Sequence, residues 1–250
     1  MKKVLVVGDI NIDIITPPFK MREVETSCVL DDFTTSLGGN AINVAAQLHA
    51  LDHPVIFLGG IGDDAVSQWI IDRCYAMEIP IELAKYPGKS AGITFAITHE
   101  DGKRQFIATL GTNKHVKMED LNLSCHLEDA SHIHRAGFWY TPNLLGKPTI
   151  DLFSRARELG AQTSLDVGWA MDNFSDQSIS ILKDTLQYTD IFFANEREIC
   201  AITRIPDITQ AIDELFCWVA NKDFMIVLHR GEKGSAVIKR GCRKDIPAVL

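Results

Sequence analysis

The sequence predicts an α/β protein with a doubly wound, mostly parallel β-sheet and a small β lid. Short apolar runs, typical of strands buried on both faces, alternate with segments of helical periodicity along most of the chain. One stretch instead alternates apolar and polar residues on both sides of a turn, which is typical of a β-hairpin. Repeated strand–helix units imply parallel strands covered by helices on both faces, and such sheets bind ligands beyond the carboxyl ends of their strands.

The first part of the chain supplies two strand–helix units. The predicted elements are a strand at 4–7 closed by Gly8, a helix at 40–51, a strand at 55–58 ended by Gly59 and Gly60, and a helix capped by Asp63 or Asp64 that runs to about residue 77. The apolar run at the N-terminus is interrupted by Asp9 and Asp13, so it indicates a buried strand and not a signal peptide.

The predicted lid comes from two insertions into the single domain formed by residues 1–250. Alternating segments at 92–98 and 104–108 flank a turn at 100–102, which predicts a hairpin. Residues 27–36 are expected to add one or two more strands. The insertions therefore span about 14–36 and 79–109.

The strand–helix rhythm returns after the hairpin. The predicted elements are strands at 131–136, 162–167, 191–194, 224–228 and 235–238, with helices at 149–159, 178–187, 196–202 and 208–221. No internal repeat or low-complexity linker divides the chain.

Composition limits the classes of function. The chain has 250 residues, 46% of them hydrophobic, and a net charge of −8, so it lacks the basic face typical of nucleic-acid binding. It also lacks an apolar run long enough to span a bilayer. Its six cysteines are scattered without a CxxC pair, which indicates reduced thiols and a cytoplasmic location.

The first candidate motif follows the first predicted strand, in the run Gly8 to Asp13. A carboxylate just past a buried strand lies at the ligand edge of the sheet, where Asp13 is suited to accept hydrogen bonds from two vicinal hydroxyls. The alternative is that Asp9 and Asp13 are turn residues.

The second candidate motif joins a glycine pair to a helix. Gly38 and Gly39 allow the backbone to approach a ligand, Asn40 suits the cap of the helix, and Asn43 lies in its first turn. The alternative is a simple glycine turn that leads into a helix.

Together these motifs resemble the first signature of the ribokinase (phosphofructokinase B) family of carbohydrate kinases. The order and spacing of Asp13, the glycine pair with Asn43, and the run from Leu58 to Asp64 match over roughly the first 65 residues. The resemblance continues along the chain, through the hairpin with Thr94 and Arg104, the Leu165–Trp169 run, the Asn-x-x-Glu element at 195–198 and the loop at 227–234.

The resemblance implies a ribokinase-like fold and ATP-dependent phosphorylation of a sugar hydroxyl. It implies substrate contacts from Asp13, Gly38, Gly39, Asn40 and Asn43, and nucleotide contacts from Asn195, Glu198, His229 and Gly231. ATP and Mg²⁺ are the implied cofactors, with Glu198 reaching the metal through water, and a homodimer through the lid is expected. Taken alone, Asn195 and Glu198 read as helix-capping residues.

Two departures from the family bear on activity and substrate. The family's late glycine-rich run, which carries its general base, is not found, so the base is expected beyond Leu250 and this chain is expected to be truncated and inactive. The run at 60–63 is similar to it but belongs to the first signature, so Asp63 is not assigned as the base. In ribokinase the position of Asn40 is a lysine, so the substrate stays open and a nucleoside kinase is an alternative. A non-catalytic sugar-binding or dimerisation module is a further alternative, from a different class of function.

Two other features each have two possible roles. His132 and His134 lie on one face of a predicted strand, as metal ligands or as structural residues. Trp139 and Tyr140 follow that strand and are candidates for a sugar-stacking wall or for the core. A nicotinamide-dependent oxidoreductase is disfavoured because no G-x-G-x-x-G follows the first strand.

Overall fold

The structure, a computed structural model, describes residues 2–20 and 27–249. The strands within these ranges are β1 Lys3–Val7, β2 Asn11–Ile15, β3 Thr34–Gly38, β4 Val55–Ile61, β5 Ile81–Lys85, β6 Gly92–Thr98, β7 Arg104–Thr109, β8 Ala130–Arg135, β9 Gln162–Asp166, β10 Ile191–Asn195, β11 Met225–His229, β12 Ser235–Lys239 and β13 Cys242–Ile246. The helices are α1 Asn40–Ala50, α2 Ala65–Ala76, the short α3 Ser124–Leu127, α4 Lys147–Glu158, α5 Asp176–Leu186, α6 Glu196–Thr203 and α7 Ile208–Trp218.

Nine of the described strands form one large sheet in the order β13-β12-β11-β10-β9-β8-β1-β4-β5. Neighbouring strands from β5 to β11 are parallel, whereas β12 and β13 run antiparallel at the edge. Because the parallel strands share one direction, the residues that follow β1, β9, β10 and β11 meet at the same edge of the sheet. This is the predicted α/β class with a mostly parallel sheet.

The other four described strands form a small sheet in the order β3-β2-β6-β7. The β6–β7 pair is the predicted hairpin, and β2 pairs with β3 antiparallel and with β6 in parallel. The register places Asp13 beside Thr94, and Thr94 opposite Ala108. The small sheet therefore carries Asp13 from the first motif into the same layer as the hairpin.

The two faces of the large sheet carry separate apolar clusters. One cluster packs β1 and β4 against α1 and α2 through residues such as Val6, Ile42 and Ile70. The other joins the sheet to helices α4 to α7, with Phe153 and Leu215 fully buried. Helices on both faces confirm the doubly wound arrangement, and burial of this apolar surface is the main stabilising contribution to the fold.

Three predicted boundaries differ from the structure. Strand β4 does not end at Gly59 and Gly60 but continues to Ile61, because these glycines are buried within the strand and a Cβ at position 59 would meet the ring of Phe57. Strand β5 belongs to the large sheet and not to the lid insertion of 79–109, since it pairs in parallel with β4. The lid strands of that segment begin only at Gly92.

Three strands were not predicted, namely β5 and two others. Strand β2 is short and half-buried, and β13 is fully exposed and polar, so neither has the apolar pattern of a buried strand. Of the predicted lid segment 14–36, the structure forms a strand at Thr34–Gly38, residues 27–33 form none, and residues 21–26 lie outside the described ranges.

His132 and His134 lie on one face of β8, as predicted, and both contact the hydroxyl of Ser164 on β9, at 2.6 Å and 2.7 Å. Within the described parts of the chain, no cluster of three His, Cys, Asp or Glu side chains has the geometry of a metal site. Burial lowers the pKa of His134 to about 3, so this imidazole is neutral in the folded protein at neutral pH.

None of the described helices is long and apolar enough to cross a membrane.

Replacement of His134 with glutamine is expected to flatten the pH dependence of stability. Between the ordinary pKa of 6.5 and the folded value of about 3, the unfolded chain binds a proton that the folded chain does not. The free energy of unfolding therefore falls as pH decreases through this window, by up to about 1.4 kcal/mol per pH unit from this group. Urea unfolding at several pH values from 4 to 7 measures the slope. His49→Gln serves as the control, and equal slopes in the two variants would contradict the prediction.

Candidate functional site

The loop that leaves β1 holds a buried carboxylate, Asp9. Its side chain is 1% exposed, and Oδ1 accepts a hydrogen bond of 3.0 Å from the backbone N–H of Ala41 in the first turn of α1. The carboxylate thereby binds one of the N–H groups that a helix N-terminus leaves without a partner. Asp9 fixes the start of α1, and with it the glycine turn that precedes the helix.

Asp13 and the glycine pair lie against each other. Strand β2 pairs with β3 so that Asn11 is opposite Gly38 and Asp13 opposite Ser36. A Cβ at position 38 would overlap the carboxylate of Asp13, so only glycine leaves that carboxylate in place. Gly39 has φ 111°, a conformation that favours glycine, and it turns the chain from β3 into α1. The two motifs that lie 25 residues apart along the chain thus converge.

A cavity of about 270 Å³ opens at this junction, between the small sheet and the edge of the large sheet. Four of the five predicted substrate residues line it, and the fifth, Gly38, supports Asp13 from behind. The lining residues are Asp9, Asn11, Asp13, Gly39, Asn40, Asn43, Thr94, Phe106, Ala108, Thr109, Leu110 and Tyr140. Eight of these twelve residues carry a carboxylate, amide or hydroxyl group, and such groups suit a molecule that carries hydroxyls.

A buried asparagine holds the wall of the cavity in position. Asn113 accepts a hydrogen bond from the N–H of Ile10 at 3.1 Å and donates to the carbonyl of Ile10 at 3.0 Å and to Oδ1 of Asn11 at 2.7 Å. Its side chain is 1% exposed. The amide of Asn11 is therefore oriented with its oxygen towards Asn113, which leaves its nitrogen as the free donor. Sequence analysis did not identify either residue, because the contact joins positions about 100 residues apart.

The cavity contains two carboxylates, Asp9 and Asp13, that burial shields at least in part from water. Burial raises the pKa of Asp13, and the charge of Asp9 raises it further, while a hydrogen bond with Thr94 acts in the opposite direction. Burial also raises the pKa of Asp9, offset by the backbone N–H groups of Ala41 and Asn40. The charge of the fully buried Arg135 guanidinium lowers the pKa of Asp9 and so favours the charged form of that carboxyl.

The predicted nucleotide residues lie at the same edge of the sheet, where β10 and β11 end. Asn195 and Glu198 form a reciprocal cap of α6: Asn195 Oδ1 accepts from the Glu198 N–H, and Glu198 Oε2 accepts from the Asn195 N–H, both at 2.8 Å. His229 pairs with Asn195 in the β10–β11 register, and its charge bears on Glu198. Gly231 follows in a turn at φ 55° and is exposed.

Asp166, at the end of β9, belongs to the same group although it was not among the predicted site residues. Burial raises its pKa to about 7, with further contributions from the charges of Glu198 and Asp9. Tyr140 lies between the two regions, since it lines the cavity and its pKa is raised by burial and by the charges of Asp9 and Glu198. The available sequence signal was an aspartate directly after a buried strand.

The two regions are neighbours. A Cβ at Gly168, just past β9, would come within 3.8 Å of Nδ2 of Asn40 at the start of α1. The cavity and the edge that carries Asp166, Glu198 and His229 therefore adjoin at the carboxyl ends of the strands, where this fold class places its ligand cleft. Such a cleft can place a hydroxyl next to a bound phosphate.

Several other candidates lie outside the cleft. Asp63 is exposed and accepts a hydrogen bond of 2.9 Å from the N–H of Gly88, and Asp64 caps α2 by accepting from Ser67. Trp139 is 3% exposed and packs edge-on against Phe138, so it belongs to the core. Of the aromatic pair at 139–140, Tyr140 alone faces the cavity.

Comparison with known proteins gives a consistent family. The model of the pfkB family of carbohydrate kinases matches residues 1–249. An ATP-dependent ribose-1-phosphate kinase of Halopiger xanaduensis is 25% identical over 205 residues, which cover 81% of this chain and 64% of that protein. A cytidine kinase of Thermococcus kodakarensis is 25% identical over 249 residues, covering 100% of this chain and 80% of that protein. The chain thus spans less than two thirds of the length of the first of these relatives.

Solved structures show the same fold. The ribokinase of Arabidopsis thaliana complexed with ribose and ATP superposes with a TM-score of 0.75 at 20% identity, and the match covers 99% of this chain and 78% of that chain. At this identity the likeness concerns the fold, including the large sheet and the small sheet beside it.

Proposed function

The chain belongs to the pfkB family of carbohydrate kinases, and from this premise we propose that its cleft binds a hydroxyl-bearing sugar substrate beside ATP for phosphoryl transfer to a substrate hydroxyl. The observation that carries the proposal is the contact between Asp13 and the glycine turn at Gly38 and Gly39 within one polar cavity. Neither motif alone distinguishes a ligand site from a turn, whereas their convergence gives a carboxylate, two amides and open backbone around one space.

Asp13 is the proposed sugar ligand. A charged carboxylate accepts hydrogen bonds from two adjacent hydroxyls, and bonds to a charged acceptor are the stronger kind. Asn40 and Asn43, both exposed at the start of α1, add amide groups on the opposite side of the cavity. The small sheet covers the cavity and is proposed to limit access of water, which protects the phosphoryl group from hydrolysis.

ATP is proposed to lie along the ends of β9 to β11. The ribokinase of similar fold was solved with ribose and ATP, and the ends of β10 and β11 in this chain carry Asn195, Glu198, His229 and Gly231. An exposed glycine turn allows the backbone to approach a nucleotide without a side chain in between. No general base is assigned among the described residues.

Asp166 and Glu198 are the proposed residues for Mg²⁺. Both carboxyls are largely buried, and burial together with the charge of Glu198 raises the pKa of Asp166, so a bound cation would favour the charged forms of both. Because Glu198 also caps α6, its contact with the metal is proposed to pass through water, which suits the hydration that Mg²⁺ retains. In kinases this metal neutralises charge that develops on the β- and γ-phosphates.

Two broader features are part of the proposal. The outer face of the lid carries exposed apolar side chains, Phe95 and Ile107, and its edge strand β7 is exposed, so a homodimer is proposed to form through the lid. The six free cysteines, as far as the described residues show, fit a reducing cytoplasm.

The nucleotide site is tested with a matched pair of glycines. Gly231 and Gly241 precede and follow β12, both have positive φ, and no described atom lies within 4 Å of the Cβ position of either. Gly231→Val is expected to weaken ATP binding in the presence of Mg²⁺ by about ten-fold or more, because a branched side chain would stand where the nucleotide passes. Gly241→Val carries the same backbone strain at the opposite end of the strand. Isothermal titration that gives equal affinities for the two variants would contradict the assignment.

A further inference from the structure

We infer that the substrate is a nucleoside, an uncharged sugar that carries a planar heteroaromatic base, and that Phe106 on the lid is the residue that selects it. This inference rests on the proposed function and names its substrate class. It comes from three properties of the cavity: its charge, the order of residues across the lid, and one uncovered aromatic side chain.

The charge of the cavity disfavours a phosphorylated sugar. Its described lining contains two carboxylates, Asp9 and Asp13, and no lysine, arginine or histidine. A phosphate group placed there would meet like charge without a partner, and like-charge contact in a partly dry site is strongly unfavourable. Among the described residues, Arg104 precedes Phe106 on the same face of β7, and it lies outside the lining. The ribose-1-phosphate specificity named for one relative is therefore not expected here.

The register of the small sheet gives the order of groups along the cavity. Asp13, Thr94 and Ala108 form one row across β2, β6 and β7, and the next row on the same face ends in Phe106 opposite Ala96. Neighbouring rows on one face are about 7 Å apart, since each residue advances a strand by about 3.3 Å. When Asp13 holds the sugar ring, the ring substituent that points towards the lid therefore lies beside Phe106.

The opposite end of the cavity faces the proposed phosphate donor. Asn40 lines the cavity, and its Nδ2 is 3.8 Å from the Cβ position of Gly168, just past the strand β9 that carries Asp166. The reacting hydroxyl of a substrate would point to this end of the cavity, and its vicinal hydroxyls would bind Asp13. Its remaining substituent would then point towards the lid. A nucleoside, with a hydroxymethyl group on one side of its sugar and a base on the other, fits this order.

Phe106 is a large apolar side chain in a cavity whose other lining residues mostly carry polar groups. It is 63% exposed although it lines the cavity, and a free sugar would leave most of its ring in water. Stacking of a base on such a ring buries apolar surface and is tolerant of base identity. The neighbouring Ile107 is also exposed, at 53%, but points to the outer face of the lid, opposite Phe95. The two residues therefore form a matched pair, one facing the cavity and the other facing away.

The test measures binding of cytidine, adenosine, ribose and ribose 1-phosphate by calorimetry to the 250-residue protein and to two variants. We expect both nucleosides to bind about ten-fold or more tightly than ribose, and Phe106→Ala to remove this advantage while leaving ribose affinity unchanged. Ile107→Ala should leave every affinity unchanged. Size-exclusion chromatography of both variants separates an effect on the lid dimer from an effect on the cavity.

The possible results separate the inference from the function on which it rests. Ribose binding equal to nucleoside binding, equal losses of ribose and nucleoside affinity in Phe106→Ala, or tighter binding of ribose 1-phosphate would overturn the nucleoside assignment and leave the sugar site intact. An oligomer change in Phe106→Ala without a change in nucleoside affinity would also overturn it. Absence of binding of all four compounds to the unaltered protein would overturn the proposed function itself.

Discussion

Asp13→Asn is expected to weaken binding of the sugar substrate by between about ten-fold and a hundred-fold. The variant keeps the shape of the side chain but replaces a charged acceptor by an amide, and hydrogen bonds to a charged group contribute about 1.5–3 kcal/mol. It also places an NH₂ group near the backbone of Gly38, where the carboxylate now packs. Calorimetric titration with ribose and with a nucleoside measures the loss.

The pH dependence of binding gives a second measure of the same residue. Burial and the neighbouring Asp9 raise the pKa of Asp13, so its charged form, which accepts the hydroxyls, is lost as pH falls through that raised value. Binding to the unaltered protein should therefore weaken towards mildly acidic pH. Asp13→Asn has no carboxyl to titrate at this position, and its weaker binding should depend less on pH.

Asp63→Asn is the control for Asp13→Asn. Asp63 is an exposed aspartate in the loop after β4, it accepts one backbone hydrogen bond from Gly88, and it lies outside the cavity lining. The substitution should leave sugar affinity unchanged. Urea unfolding of both variants shows whether a loss of affinity reflects loss of folded protein. If Asp13→Asn binds the sugar with an affinity within about two-fold of that of the unaltered protein, the proposed site is contradicted. Such a change corresponds to less than about 0.5 kcal/mol of binding free energy.

The residues that sequence analysis placed in the cavity share a local signal. Asp13 follows a strongly apolar strand, and Gly38, Gly39 and Asn43 stand at the entrance of a helix, so each position is marked by its neighbours in the chain. Parallel strands bring such marked ends to one edge, and this geometric rule is why residues far apart in sequence were expected together. The large sheet and its helices were predictable for the same reason, since their patterns are periodic and buried.

The features that sequence analysis did not predict depend on pairing between segments that lie far apart along the chain. Strand β5 is half-buried at the edge of the large sheet, and only its pairing with β4 distinguishes it from a lid strand. Phe106 lies on a strand in which every residue is exposed, so its alternation does not reveal which face meets the cavity. The pairing of β7 with β6 and of β6 with β2 decides this, and the β2–β6 register joins residues 81 positions apart, such as Asp13 and Thr94.

Asn195 and Glu198 show a different limit. The Asn-x-x-Glu spacing fits both a capping box and a magnesium site, and the structure shows the capping hydrogen bonds. The two roles are compatible, because a carboxylate has lone pairs for more than one partner. The sequence does not show that the charge of Glu198 bears on Asp166. The raised pKa of Asp166 distinguishes this cap from an ordinary one.

Arg135→Met is expected to destabilise the fold by about 3–5 kcal/mol, the largest effect on stability anticipated for a single substitution here. The side chain is fully buried, and its guanidinium donates to the carbonyls of Val7 and Ala136 at 3.0 Å and 2.8 Å and to the hydroxyl of Thr141 at 2.7 Å. Methionine fills much of the same space but removes these hydrogen bonds. The Val7 carbonyl keeps a bond from the Ala136 N–H, whereas the Ala136 carbonyl loses the guanidinium donor, and a buried unsatisfied group costs about 1–3 kcal/mol.

Two opposing contributions decide the size of this effect. Burial lowers the pKa of Arg135 to about 10, which reflects the cost of holding its charge inside the protein, and methionine removes that cost. Buried ion pairs can be replaced by apolar residues without loss when the whole pair is removed. Here Asp9 and the carbonyls remain, so the unpaired groups outweigh the relief. Urea unfolding measures the difference, and Arg155→Met, which removes an exposed pair with Glu158, should change stability by less than about 0.5 kcal/mol. A loss below about 1 kcal/mol for Arg135→Met would show that the cost of burying the charge is the dominant contribution.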